Sequence, residues 1–279
     1  LAEDDHSRLT SEHELASAYL EDRRIKEAIE MLEHVVAVRK RTLAEEDHSR
    51  LTSEHELATA YLDDGRIKEA IEMLEHVVAV RKRTLAEDDH SRLTSEHELA
   101  RAYLDDRRIK EAIEMLEHVV AVEKRTLAED DHSRLTSEHE LARAYLDDRR
   151  IKEAIEMLEH VVAVEKRTLA EDDNSRLTSE HELARAYLDD RRIKEAIEIL
   201  EYVVAVRKRT LAEDDHSRLT SEHELARAYL DDRRIKEAIE MFEHVVAVRK
   251  RTLAEDDHSR LASEGWLTYA LHKSSGGIP

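Results

Sequence analysis

Histidine and arginine recur together along the chain at a spacing that could bind carboxylates. Arg101 follows His97 by four residues, so in a helix the two side chains lie one turn apart on one face. One interpretation is a ladder that holds an extended acidic peptide or a C-terminal carboxylate. The other is local pairing on a solvated face, as between Arg101 and Asp105. Both interpretations stay open. With the leucine one turn further on, the candidate partner-binding residues are His97, Arg101, Leu104, His139, Arg143, Leu146, His181, Arg185, Leu188, His223, Arg227 and Leu230.

Other chemistry-bearing patterns are incomplete. His13-Glu14 begins like the zinc protease motif H-E-x-x-H, but the second histidine is missing in every copy. The acidic residues before His6 are adjacent in a loop and lack the convergent geometry of a metal site. No phosphate-cradling glycine loop and no nucleophile elbow is present. We therefore predict no catalytic activity, no metal and no cofactor.

Composition excludes further classes of function. A formal net charge of −21 disfavours binding to nucleic-acid phosphates. No apolar run approaches the roughly 18 residues of a membrane span, and no signal peptide pattern begins the chain. The chain has no cysteine, so disulfides are impossible. We expect a cytoplasmic protein that binds neither nucleic acid nor membranes.

A tandem repeat of 42 residues determines the fold. The segment that begins at Leu1 returns at Leu43 and at every later multiple, so six full units cover residues 1–252. Repeats of this length form stacked supersecondary units. Residues 253–279 are a partial seventh unit, predicted to form a capping helix over 259–272 and a mobile tail over 274–279.

Each unit is predicted to be a pair of helices. In the first unit the helices run from about Arg8 to Glu21 and from Ile25 to Thr42, because apolar residues recur at helical spacing. Ser7 is predicted to cap the first helix and Asp22 the second. Only stacking on the next pair can bury both apolar stripes. The predicted fold is therefore all-α, a right-handed α-solenoid superhelix of stacked antiparallel helix pairs.

The repeat resembles the tetratricopeptide family. Leu15-Ala16-Ser17-Ala18-Tyr19 matches the L-G-x2-Y part of the family pattern, and Ala28 with Leu32 matches A-x3-F. Glu12 replaces the pattern's tryptophan, the final proline is missing, and the unit is about eight residues longer than usual. This longer form resembles the repeats of kinesin light chains and of fungal and bacterial arrays that follow an NTPase module. The resemblance implies a scaffold for protein–protein contact.

One turn between paired helices has glycine in place of arginine. Gly65 stands between two helices where the other units have arginine, as at Arg107, which suggests positive φ there. Trp266 either folds over the end of the array or stays exposed as a contact point. Near-identical units also allow an alternative function, a self-assembling array that stacks head to tail through its ends. The leading prediction is a non-catalytic scaffold that presents a concave groove to a protein or peptide partner.

Overall fold

The computed structural model describes residues 5–275, and each regular element in that range is an α-helix. The chain forms two compact units, residues 1–148 and 149–279, which are described separately. The helices of the first unit are α1 His6–Glu21, α2 Ile25–Thr42, α3 His48–Asp63, α4 Ile67–Thr84, α5 His90–Asp105, α6 Ile109–Thr126 and α7 His132–Asp147. Those of the second are α8 Ile151–Thr168, α9 Asn174–Asp189, α10 Ile193–Thr210, α11 His216–Asp231, α12 Ile235–Thr252 and α13 His258–Ser274. The predicted all-α array of helix pairs is confirmed. We call odd-numbered helices up to α13 first helices, and the even-numbered helices second helices.

The first helix of each pair begins earlier than predicted, and its cap is a different residue. Helix α1 starts at His6, and the Asp5 carboxylate accepts a hydrogen bond from the Arg8 amide at 3.0 Å. The prediction that Ser7 is the cap is therefore wrong. Aspartate and serine are both favourable caps, and here the aspartate closes the helix and leaves Ser7 in its first turn.

The turn inside each pair satisfies the end of the first helix with backbone bonds. The Arg24 amide donates to the Tyr19 carbonyl at 2.8 Å and the Arg23 amide to the Leu20 carbonyl at 3.1 Å, a Schellman arrangement. Asp22 ends α1 in this motif, so the prediction that it caps α2 is wrong. The motif needs a left-handed residue after the helix end.

Positive φ at that left-handed position is confirmed in all six turns. Gly65 has a φ of 77°, and the arginines at the same place have values from 60° to 64°. These arginines are Arg23, Arg107, Arg149, Arg191 and Arg233.

Small residues and branched aliphatic residues fill the core of each helix pair. Leu51 of α3 packs with Val77 and Val80 of α4, and the same cluster recurs in other pairs of both units. Ala58 and Ala70 are fully buried. Alanine at these positions is small enough to let the paired helices approach closely.

Tyrosines join each pair to the one before it. The Tyr61 hydroxyl donates to Glu33 Oε1 of α2 at 2.8 Å, and the Arg66 guanidinium lies 3.9 Å from the tyrosine ring centroid. Burial and this hydrogen bond raise the pKa of Tyr61 to about 12. Tyr229 repeats the arrangement in the second unit with Glu201. These tyrosine rings are buried, and each also contacts a cation.

The last helix is slightly longer than predicted. Helix α13 covers the predicted residues 259–272 and continues to Ser274, which the sequence assigned to a mobile tail. Ser275 follows as the C-cap. The remainder of the predicted tail, residues 276–279, lies outside the described residues.

Candidate functional site

The predicted arginines lie on the first helices and keep much of their surface exposed. Arg101 and Arg143, in the first unit, have side chains that are 44% and 50% exposed. Each Nη1 contacts a carboxylate three residues earlier, at 2.8 Å for Arg101 with Glu98 and 3.0 Å for Arg143 with Glu140. Arg185 and Arg227 repeat this pairing in the second unit. Local pairing is therefore present, but with the preceding glutamate and not with Asp105 as predicted.

The histidines of the predicted ladder join neighbouring first helices. His97 Nδ1 lies 3.2 Å from Ser137 Oγ of α7, and His223 Nδ1 lies 3.0 Å from Ser263 Oγ of α13. His181 makes the same contact with Ser221. Burial lowers the pKa of His181 and His223 to about 4. Sequence spacing alone does not show that these two histidines are buried.

Three predicted contact residues belong to the interior. His181, His223 and Leu230 are buried, Leu230 being only 2% exposed. They cannot offer a surface in this structure, and we drop them from the candidate site. Leu104, Leu146 and Leu188 are partly exposed and stay on it.

A buried arginine reaches the same serines from the second helix. Arg81 Nη1 of α4 donates to the Ser91 carbonyl at 2.6 Å and to Ser95 Oγ at 2.5 Å. His55 Nδ1 lies 3.2 Å from the same hydroxyl. Helix register alone does not show that the next first helix covers these arginines. Arg39, Arg207 and Arg249 make the same contacts.

Two of the six repeats have a buried glutamate in place of this arginine. Glu123 of α6 is 4% exposed. Burial raises its pKa to about 7, against a hydrogen bond from Ser137 that lowers it, while Asp131 and Glu138 add to the increase. Glu165 of α8 has the same shift from burial.

A cavity opens beside Glu123, within the first unit. It has a volume of about 380 Å³ and lies between α5, the end of α6 and the start of α7. Its lining residues are His90, Leu93, Thr94, His97, Glu98, Glu123, His132, Ser133, Thr136 and Ser137. The sequence has arginine at four of these equivalent positions and glutamate at two, but it does not show that the glutamates are buried.

Another buried carboxylate stands where the tetratricopeptide pattern has tryptophan. Glu54 is fully buried, and it accepts from Arg50 Nε at 3.0 Å and contacts His76 Nδ1 at 2.8 Å. Lys40 Nζ lies 3.7 Å away. This ion-pair network replaces an aromatic contact, and its partners come from three helices, so sequence spacing could not reveal it.

Trp266 lies against the end of the second unit. Its ring is nearly parallel to that of Phe242, with centroids 6.4 Å apart, and the Arg227 guanidinium lies 5.0 Å from it. Of the two interpretations left open, the structure favours folding over the array.

The described part of the chain was searched for metal sites and for membrane-spanning helices. Within residues 5–275, no cluster of three or more histidine, cysteine, aspartate or glutamate side chains could hold a metal ion. None of the described helices is both long and apolar enough to cross a membrane.

Comparison with known proteins agrees with this architecture. The tetratricopeptide repeat family model matches residues 7–83, 91–167 and 175–251. Nearly identical TPR-like repeats of a kinesin light chain from Podosopora anserina share 49% identity; the match covers 74% of this chain and 98% of that one, with a TM-score of 0.65. BtubC from P. vanneervenii is 15% identical over 90% of this chain and 95% of its own, with a TM-score of 0.61.

A third structure is similar in fold alone. The APC/C hetero-tetramer Cut9–Hcn1 is 15% identical over 96% of this chain and 44% of that one, with a TM-score of 0.70. A search of curated proteins gave no match.

Proposed function

The chain belongs to the tetratricopeptide repeat family, and we propose that it is a non-catalytic scaffold whose first helices bind a protein or peptide partner. Arrays of this family generally mediate contact between proteins. The proposed surface is the groove side of the first helices, and in the first unit it includes Arg101, Leu104, Arg143 and Leu146. A cytoplasmic location remains a prediction.

The exposed arginines are the observation that supports this surface. They project from helices whose neighbouring histidines and serines are committed to contacts between pairs. A guanidinium can bind a carboxylate through two parallel hydrogen bonds, so an acidic partner would take the place of Glu98 or Glu140. We therefore propose an acidic segment as the partner.

The test is charge reversal on this surface. We expect Arg101→Glu with Arg143→Glu to weaken binding to acidic peptides on an array at least tenfold, because both guanidinium partners are replaced by repulsive carboxylates. Lys68→Glu with Lys110→Glu is the matched control, since it makes the same charge change on exposed second-helix positions. Unchanged binding by the arginine variant, or equal loss in the control, contradicts the proposed surface.

Self-assembly through the ends is the second candidate. Leu15 is 44% exposed although its equivalent Leu57 is buried, and Leu261 is 52% exposed although its equivalent Leu9 is buried. Leu9 packs against the second helix that follows it, so α13 exposes a face that fits a second helix. Helix α1 of another copy is a first helix, and this mismatch places self-assembly second. A sedimentation coefficient that rises with concentration would favour it over the scaffold.

A further inference from the structure

The position of Glu123 holds a guanidinium in other repeats. At the equivalent place in α4, Arg81 Nη1 donates to the Ser91 carbonyl and the Ser95 hydroxyl. Arg207 of α10 makes the same pair of bonds in the second unit. The corresponding serines beside Glu123 are Ser133 and Ser137, and both line the cavity. The acceptors of the guanidinium remain, but the side chain that carried it has been replaced.

The Glu123 carboxylate can act as a counter-charge, and its hydrogen-bonding capacity is not fully used. Its carboxylate receives a hydrogen bond from Ser137. Its Oε2 is buried and has no hydrogen-bond partner among the residues that the structure describes. A buried carboxylate oxygen without a donor is costly, so a cationic donor in the cavity would be stabilised there.

The charged surroundings favour a cation further. Asp131 and Glu138 act on Glu123 as negative charges, and Arg134 is the positive charge that opposes them. Glu98 lines the same cavity and is bridged to Arg101 at 2.8 Å. The titratable groups that face Glu123 are thus His90, His97, Glu98, Asp131, His132, Arg134 and Glu138.

We propose that this cavity binds a guanidinium cation, the group at the end of an arginine side chain, with Glu123 as its counter-ion. Ser133 and Ser137 accept the remaining N–H donors, as Ser91 and Ser95 do for Arg81. A planar group with several donors fits this arrangement better than a compact ammonium. Use of the site by an arginine of a partner protein rests on the proposed scaffold function, but the site itself does not.

Calorimetric titration with methylguanidinium tests the site directly. The experiment uses the full chain with Glu165→Arg, so that α8 carries the residue of the other repeats and Glu123 is the single glutamate at this position. At pH 8 we expect saturable binding, at least tenfold tighter than that of methylammonium. Adding Glu123→Gln is expected to weaken methylguanidinium binding at least tenfold, because the cavity stays open while its charge is lost.

Two further variants keep the test falsifiable if glutamine alters the local packing. Glu123→Arg restores the side chain of the other repeats and should abolish binding without loss of helical circular dichroism. Arg81→Glu should add a second, equivalent binding site between α3, the end of α4 and the start of α5, and double the stoichiometry. Binding should also weaken several-fold from pH 8 to pH 6, because a proton competes for the carboxylate.

The proposal is overturned if methylguanidinium shows no saturable binding at pH 8. It is also overturned if the affinity is equal with glutamate, glutamine and arginine at position 123. Loss of acidic-peptide binding in the arginine-reversal variant concerns the proposed function alone, so the two proposals fail separately.

Discussion

At the level of single residues, the left-handed position in each turn is an identifiable source of strain. Arg107 has a φ of 62°, and Gly65 at the same place in the second repeat shows that this position tolerates loss of the side chain. A side chain at positive φ costs on the order of 1 kcal/mol relative to glycine.

Arg107→Gly is therefore expected to raise the free energy of unfolding by about 1 kcal/mol and the melting temperature by roughly 2 °C. Thermal and denaturant unfolding monitored by circular dichroism measure both. Gly65→Arg is the reciprocal control and should destabilise by a similar amount. A lower melting temperature for Arg107→Gly would show that the arginine makes a stabilising contact that outweighs its strain.

Glu123 makes stability depend on pH with a defined sign. Its pKa rises from 4.5 to about 7 in the folded chain, so the folded state binds more protons than the unfolded state between these values. The contribution of Glu123 to stability is thus lost as the pH rises through about 7.

Glu123→Gln is expected to raise the free energy of unfolding at pH 8 by about 1 to 2 kcal/mol, after allowance for solvent screening, and to have no such effect below about pH 4.5. Urea unfolding at several pH values measures the difference. Glu114→Gln, on the exposed part of the same helix, is the control and should leave the pH profile unchanged. A gain that is equal at pH 4 and pH 8 would refute the role of ionisation.

At the level of helices, the central glycine of α13 is a second site of avoidable cost. Gly265 lies within the helix, and beyond the surrounding helix backbone no atom comes within 4 Å of the Cβ that alanine would add there. Gly265→Ala should therefore stabilise the second unit by about 0.5 to 1 kcal/mol through helix propensity. Hydrogen exchange of the α13 amides would show slower opening; faster exchange would mean that the glycine is needed for the packing of Trp266.

The helices themselves were predictable from sequence, but their polar contacts were not. The apolar spacing from Ile25 to Thr42 gave both ends of α2, because burial of one stripe determines helix and register. In the run Asp5-His6-Ser7 both the aspartate and the serine can cap a helix, so the start of α1 was ambiguous by two residues. Buried Arg39 and Glu54 look like surface charges in sequence. Their partners lie on other helices, which a single repeat pattern cannot place.

At the level of the whole molecule, net charge controls association. Full protonation of the 18 histidines would raise the formal charge from −21 to −3. Burial lowers the pKa of His181 and His223 to about 4, so these two histidines stay neutral near pH 5.5.

We expect self-association to increase as the pH falls from 8 to 5.5, since repulsion between chains decreases. Light scattering at constant concentration measures this, and added salt at pH 8 is the control for screening of the same repulsion. Scattering that stays flat across this pH range would contradict the expectation.

Family membership and the exposed first-helix arginines both support partner binding. Amide hydrogen exchange of the full chain, measured with and without an acidic peptide selected from the peptide-array screen, tests this binding. If the peptide binds the proposed surface, exchange should slow in the first helices around Arg101 and Arg143. Exchange in the second helices should stay unchanged. Protection confined to the second helices or to α13 would contradict binding at the proposed surface.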